Sequence, residues 1–204
     1  MLNKESEILY SFARKPWTHF TFGELRETSK KKSKSYLASI LKKFLDEKIL
    51  KKVLVGRLPV YSLNLSSAKS RVYAGFVLEH KGWSKKHIPY DNLLINRIPA
   101  KDYVFLITGS YAKGKQSKGS DIDAVIIIDD SADPKRVYAE LSHYAEISIP
   151  QIHLYVFRNK EFIVMLKSRE ANYGKEIVKN NLILTGGQIY LKLVEEAIEN
   201  GFNG

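Results

Sequence analysis

Asp121 and Asp123 are separated by one residue and lead into residues 124–128, an unbroken apolar run. Side chains alternate along a strand, so residues two apart share a face and these two carboxylates stand side by side. Two like charges at the entrance to an apolar core repel one another, and a cation or strong donors must offset that cost. The pair therefore predicts a divalent metal. Magnesium takes oxygen ligands and is commonly held by one or two carboxylates, with substrate phosphates completing its shell. The sequence has no cysteine, so any metal must be bound through oxygen or imidazole.

Upstream, Gly109-Ser110 follows a predicted strand at residues 103–108 and opens a short helix at 111–113. Gly109 lets the backbone approach a phosphate closely, the Ser110 hydroxyl can add a hydrogen bond, and the turn's amides face an incoming anion. Lys113, Lys115 and Lys118 surround the turn with positive charge. A strand ending in an anion cradle beside a strand bearing paired acids would hold a magnesium–triphosphate between them. Phosphoryl or nucleotidyl transfer depends chiefly on such positioning.

Gly109-Ser110, Ala112 and Gly114, followed by Ser120-Asp121-Ile122-Asp123, resemble the pattern of minimal nucleotidyltransferases of the polymerase β superfamily. The resemblance covers residues 90–160. It implies transfer of a nucleoside monophosphate from an NTP to an acceptor hydroxyl, with Mg2+, or alternatively Mn2+, as cofactor. Asp121 and Asp123 would be catalytic metal ligands, and Gly109, Ser110 and Lys113 would bind the nucleotide. By the same resemblance the acceptor is a small molecule, an RNA end or a partner protein.

The family also carries a third carboxylate on a later strand, and here the sequence departs from the pattern. Residues 151–157 read QIHLYVF, which puts His153 at that position. Imidazole is a poor magnesium ligand, so nucleotide binding could survive where turnover does not. A neutral His153 could instead act as general base, or favour manganese. Glu146 and Glu161 flank the strand as alternative acids.

The elements that must hold this site form an α/β pattern over residues 90–204. It comprises a helix near Tyr90, strands at 103–108, 121–128 and 151–157, a helix at 134–146, and a last helix at 187–199 with Ile189, Leu193, Val194 and Ala197 on one face. Residues 1–65 read as helices at 3–14, 22–28 and 33–47, then strands at 51–55 and 60–65 around a Gly- and Pro-containing turn. That is the order of a winged helix-turn-helix. A helix capped by Ser66-Ser67, running through Glu79 and closed by Gly82, would link the two over residues 66–89. The class expected is α+β.

The net charge is +11, and residues 1–66 carry 14 Lys and Arg against 6 Asp and Glu. Lys31, Lys32, Ser35, Ser39, Lys42 and Lys43 decorate the face of the third helix opposite its apolar stripe, and Arg57 lies near the tip of the hairpin. These residues suit contacts to the phosphates of double-stranded DNA. With no Asn, Gln or Arg on the helix face, little sequence preference is expected. The alternative function is a DNA-binding transcription regulator whose transferase domain senses nucleotide without turning it over. No run suits a membrane span or signal peptide, which predicts a cytoplasmic protein, and dimerisation is left open. His19, His80, His87 and His143 lack ligand-like spacing and receive no role.

Overall fold

In the computed structural model, which describes residues 5–28, 33–90 and 94–204, the chain is α+β with two sheets. The N-terminal elements are α1 (Glu5–Arg14), β1 (Phe20–Thr21), α2 (Phe22–Thr28), α3 (Lys34–Asp46), β2 (Leu50–Val55) and β3 (Leu58–Leu63). Ser33 caps α3 by accepting from the Tyr36 amide at 3.3 Å. Leu37, Ile40, Leu41 and Phe44 follow at helical spacing and are buried.

The first sheet is antiparallel, in the order β1-β3-β2. Its two-residue strand β1 is too short to show a period in the sequence and exists through pairing with β3, Phe20 to Tyr61 and Thr21 to Val60. The hairpin turn is tighter than the four residues expected. Val55 pairs with Leu58, leaving Gly56 and Arg57 as the loop, with Gly56 at φ +62 supplying the left-handed turn conformation. Val53, Leu54, Val55 and Leu58 are exposed, so this hairpin projects from the body.

Helix α4 (Ala68–Trp83) begins at Ser67 and runs past Glu79. Gly82 lies inside it and does not terminate it. A Cβ there would fall 2.2 Å from the Ile183 carbonyl oxygen, so the glycine permits backbone-to-backbone packing. Ala74, Val77 and Leu78 of α4 share one core with residues of both ends of the chain.

The second sheet contains β4 (Tyr103–Ile107), β5 (Ile122–Ile128), β6 (Ile152–Arg158) and β7 (Leu182–Thr185), in the order β6-β5-β4-β7. Between them lie α5 (Gly109–Lys113), α6 (Pro134–Ile147), α7 (Asn159–Lys167) and α8 (Tyr173–Lys179), and α9 (Gly187–Glu199) ends the fold. Strand β4 is antiparallel to β5 and β7, whereas β5 and β6 are parallel and joined across α6. The helix expected near Tyr90 falls partly on residues 91–93, which lie outside the described residues; a 3-10 turn follows at Leu94–Arg97.

Both faces of the central strands are covered, which explains their continuous rather than alternating apolar runs. Val104, Leu106, Val125 and Ile127 face the core shared with α4, α7, α8 and α9. Phe105, Ile107, Ala124, Ile126 and Ile128 pack with Val137, Leu141 and Ala145 of α6. Among the described residues no helix is long and apolar enough to cross a membrane.

Candidate active site

Asp121 sits one residue ahead of β5 and Asp123 is its second residue, on the face that continues to Val125 and Ile127. The parallel register with β6 brings His153 directly opposite Asp123. Its Nε2 lies 3.4 Å from Asp121 Oδ2 and its Nδ1 lies 3.8 Å from Asp123 Oδ1. The Asp121, Asp123 and His153 side chains are 40%, 29% and 50% exposed, open enough to meet a ligand. Burial raises the Asp123 pKa above the usual carboxylate range; His153 opposes that shift and the negative charge of Asp121 adds to it.

The Gly109 turn closes over this pair. Its φ of +65 is left-handed, and a Cβ at that position would lie 1.9 Å from Asp123 Oδ2. No other residue allows the turn and the carboxylate to approach so closely. The Thr108 amide donates to the Asp123 carbonyl at 2.9 Å, fastening the turn to β5. Thr108 is the N-cap of α5 but makes no side-chain capping bond, because its hydroxyl donates to the Asn180 carbonyl at 2.8 Å. The first-turn amides of α5 are thus left without a capping acceptor. At the other end of this short helix, a His87 ring nitrogen lies 2.9 Å from the Tyr111 carbonyl oxygen, giving His87 a structural role the sequence did not disclose.

A cleft of about 330 Å³ joins Gly109, Lys113 and Asp123 to Tyr173, Glu176, Lys179 and Asn180. None of the last four was singled out in the sequence; the one hint is the Asn180-Asn181 pair between a helical pattern and the apolar run of β7. The Tyr173 ring lies 4.8 Å from that of Tyr155. Its hydroxyl is buried without a hydrogen-bond partner, and its pKa is driven upward by burial, with Tyr155, Asp123 and Glu176 adding to the effect.

The alternative acids lie elsewhere. The Glu161 carboxylate accepts from the Arg158 amide at 2.7 Å as part of the α7 cap. Glu146 is exposed on α6 and borders a groove along β6. Asp129 accepts from the amide and hydroxyl of Ser131 in a local turn, which holds its pKa low.

On α3, Ser35, Ser39, Lys42 and Lys43 are all exposed, but the lysines have partners. Lys42 pairs with Asp46 and Lys43 with Glu5, both at 2.8 Å. Ser39 donates to the Tyr36 carbonyl, and Ser35 shares a hydrogen bond with Ser33. Arg57 is exposed in the hairpin loop. Lys31 and Lys32 lie outside the described residues.

Among the described residues no group of three or more His, Asp or Glu side chains forms a ready metal cage. What the structure brings together is two adjacent carboxylates, an imidazole beside them and a glycine turn that a side chain would block. Two partly exposed carboxylates, with Asp123 lining the cleft, have the chemistry that suits a hard divalent cation keeping part of its shell for water and phosphate. No curated protein and no solved structure matches the chain. Residues 94–184, in the C-terminal part of this α+β chain, do match a family model, the nucleotidyltransferase domain, and the match supports a nucleotidyl transfer activity in general.

Proposed function

We propose that the protein is a metal-dependent nucleotidyltransferase that moves a nucleoside monophosphate from an NTP to an acceptor hydroxyl. An N-terminal winged helix-turn-helix would bring nucleic acid near the site. The observation that carries the reading is the convergence of Asp121, Asp123 and His153 beneath the Gly109 turn.

Asp121 and Asp123 would hold Mg2+ or Mn2+, which when bound would draw charge from the triphosphate and favour departure of pyrophosphate. Gly109 admits the phosphates, and the free amides of the turn and the Ser110 hydroxyl donate to their oxygens. Lys113 on one wall of the cleft and Lys179 on the other balance the remaining charge. His153, half exposed beside both carboxylates, accepts the proton of the attacking hydroxyl at a ring nitrogen. The acceptor belongs to one of three classes: a protein, an RNA end or a small molecule.

The order of elements α1-β1-α2-α3-β2-β3, with its projecting Arg57 hairpin, supports the winged reading of the N-terminal module. Duplex DNA is its proposed ligand.

The test is incubation with α-labelled NTPs, Mg2+ or Mn2+, and candidate acceptors including cellular RNA and proteins. Label transfer that disappears in Asp121→Asn supports the enzyme. A second reading, a DNA-binding regulator that senses nucleotide without transfer, draws on the imidazole at the third acidic position. NTP binding without label transfer, together with salt-sensitive duplex binding, would establish that reading instead.

A further inference from the structure

The triphosphate turn is tied to the N-terminal module by a short chain of hydrogen bonds running through α8. At its far end, Arg14, the last residue of α1, donates to two successive carbonyls. Its Nη1 lies 2.9 Å from Val178 O and its Nη2 2.5 Å from Lys179 O. These are terminal carbonyls of α8, which have no acceptor role inside the helix, and a guanidinium both satisfies them and complements the helix dipole. Asn181 closes the same end from inside, donating to Ile177 O at 2.8 Å and lying 3.2 Å from the hydroxyl of the buried Tyr190.

Asn180, between these two, reaches the site. Its side-chain amide donates to the Gly109 carbonyl at 3.1 Å, while its own carbonyl accepts from the Thr108 hydroxyl at 2.8 Å. The peptide following Gly109 is planar and trans, so its carbonyl and the Ser110 N–H point in opposite directions. Fixing the Gly109 oxygen therefore fixes the direction in which the Ser110 amide donates. Gly109 has the widest backbone freedom of any residue type, which makes such a restraint consequential.

We propose that Asn180 is a positioning residue for the Gly109–Ser110 turn and that Arg14 holds Asn180 in register, so that the N-terminal module completes the nucleotide site. The proposal rests on the reading of this turn as the triphosphate cradle. Its consequence is that the nucleotidyltransferase domain is not autonomous. Whatever moves α1 relative to α8 alters nucleotide affinity, and by linkage nucleotide binding stiffens the contact with α1.

The experiment uses the full chain and two readouts. Calorimetric titration with each of the four Mg–NTPs measures affinity, and hydrogen exchange measures opening of residues 108–112. Asn180→Asp, which sets an oxygen against the Gly109 oxygen in the same volume, and Arg14→Ala should each weaken binding by about tenfold and speed exchange at the turn. Arg14→Lys should restore part of both, because it keeps the charge but not the two-pronged geometry. Arg71→Ala serves as control. It removes the pairing of Arg71 with Glu195 at 3.0 Å, and it should lower the melting temperature without changing affinity.

Unchanged affinity in Asn180→Asp and Arg14→Ala would overturn the proposal while leaving the triphosphate reading intact. An equal loss of affinity in Arg71→Ala would also overturn it, by showing that general destabilisation is sufficient. If the wild type binds none of the four nucleotides, the triphosphate reading fails and exchange decides alone: faster opening at 108–112 in both variants sustains the brace, and unchanged opening removes it.

Discussion

His153 stands opposite Asp123 in the parallel ladder of β5 and β6, and its ring spans both acids, 3.8 Å from Asp123 Oδ1 and 3.4 Å from Asp121 Oδ2. An imidazolium there would oppose the charge of the two carboxylates much as a bound cation does. A neutral ring leaves their oxygens available to a metal.

Replacing that side chain tests whether it limits turnover. His153→Asp places a third carboxylate on the face of Asp121 and Asp123, giving an all-oxygen donor set suited to magnesium. Magnesium-dependent transfer should rise by about tenfold or more, in step with general base and metal activation at such a site. Melting in EDTA should fall and the gain on adding Mg2+ should increase. A drop in transfer at saturating Mg2+ would show that the imidazole serves this site as proton acceptor better than a carboxylate does.

The raised pKa of Asp123 has a consequence for stability. A folded-state pKa above the unfolded value means that the folded chain binds the proton more tightly. Stability contributed in this way is present at low pH and is lost as pH rises through the folded pKa. Asp123→Asn removes the charge, so without metal the variant should melt higher than the wild type at neutral pH, by on the order of a few degrees. The two should converge below the ordinary carboxylate pKa. Transfer should be abolished. Equal melting temperatures at neutral pH would show that the carboxylate carries no such cost.

Much of this site was legible because its parts are close together in sequence and follow simple periods. Alternation put Asp121 and Asp123 on one face, and counting along QIHLYVF led to His153, which the register places beside them. The other wall was not legible. Tyr173, Glu176, Lys179 and Asn180 are ordinary residues of a seven-residue helix and its cap, and Asn180 meets Gly109 across 71 positions of sequence. Strand β7, only four residues long, gives no period of its own. Gly82 misled for a related reason. A glycine inside α4 looks like a stop signal until the Ile183 carbonyl is seen against it.

Gly109 should tolerate no side chain. In Gly109→Ala the new methyl would lie 1.9 Å from Asp123 Oδ2, and the residue would keep a φ of +65 that disfavours alanine. The fold should lose about 2 kcal/mol or more, and NTP binding should be lost because both the turn and the carboxylate must shift. Denaturant melts and nucleotide titration check the two effects separately. Retained affinity in a folded variant would argue against the turn as the phosphate cradle.

Tyr173 offers the opposite expectation. Its hydroxyl is buried without a partner near Asp123, so Tyr173→Phe deletes a polar group that the free protein leaves unsatisfied. The variant should be more stable by about 1 kcal/mol, with its ring contacts to Tyr155 and Phe157 preserved. A loss of stability in the denaturant melt would mean that the hydroxyl has a bound water as partner.

The basic N-terminal module makes a prediction that separates free from engaged charges. Arg57 stands exposed in the hairpin loop, whereas Lys43 is held by Glu5 at 2.8 Å and must leave that partner to meet a phosphate. Duplex DNA affinity measured by anisotropy over a range of salt should therefore fall in Arg57→Ala, with the slope of log K against log salt reduced by about 0.9 for each phosphate that is no longer neutralised. Lys43→Ala should have a smaller effect, because releasing Glu5 offsets part of the gain at the phosphate. Equal slopes for the wild type and Arg57→Ala would exclude the hairpin from the proposed contact with DNA and leave α3 as the remaining candidate.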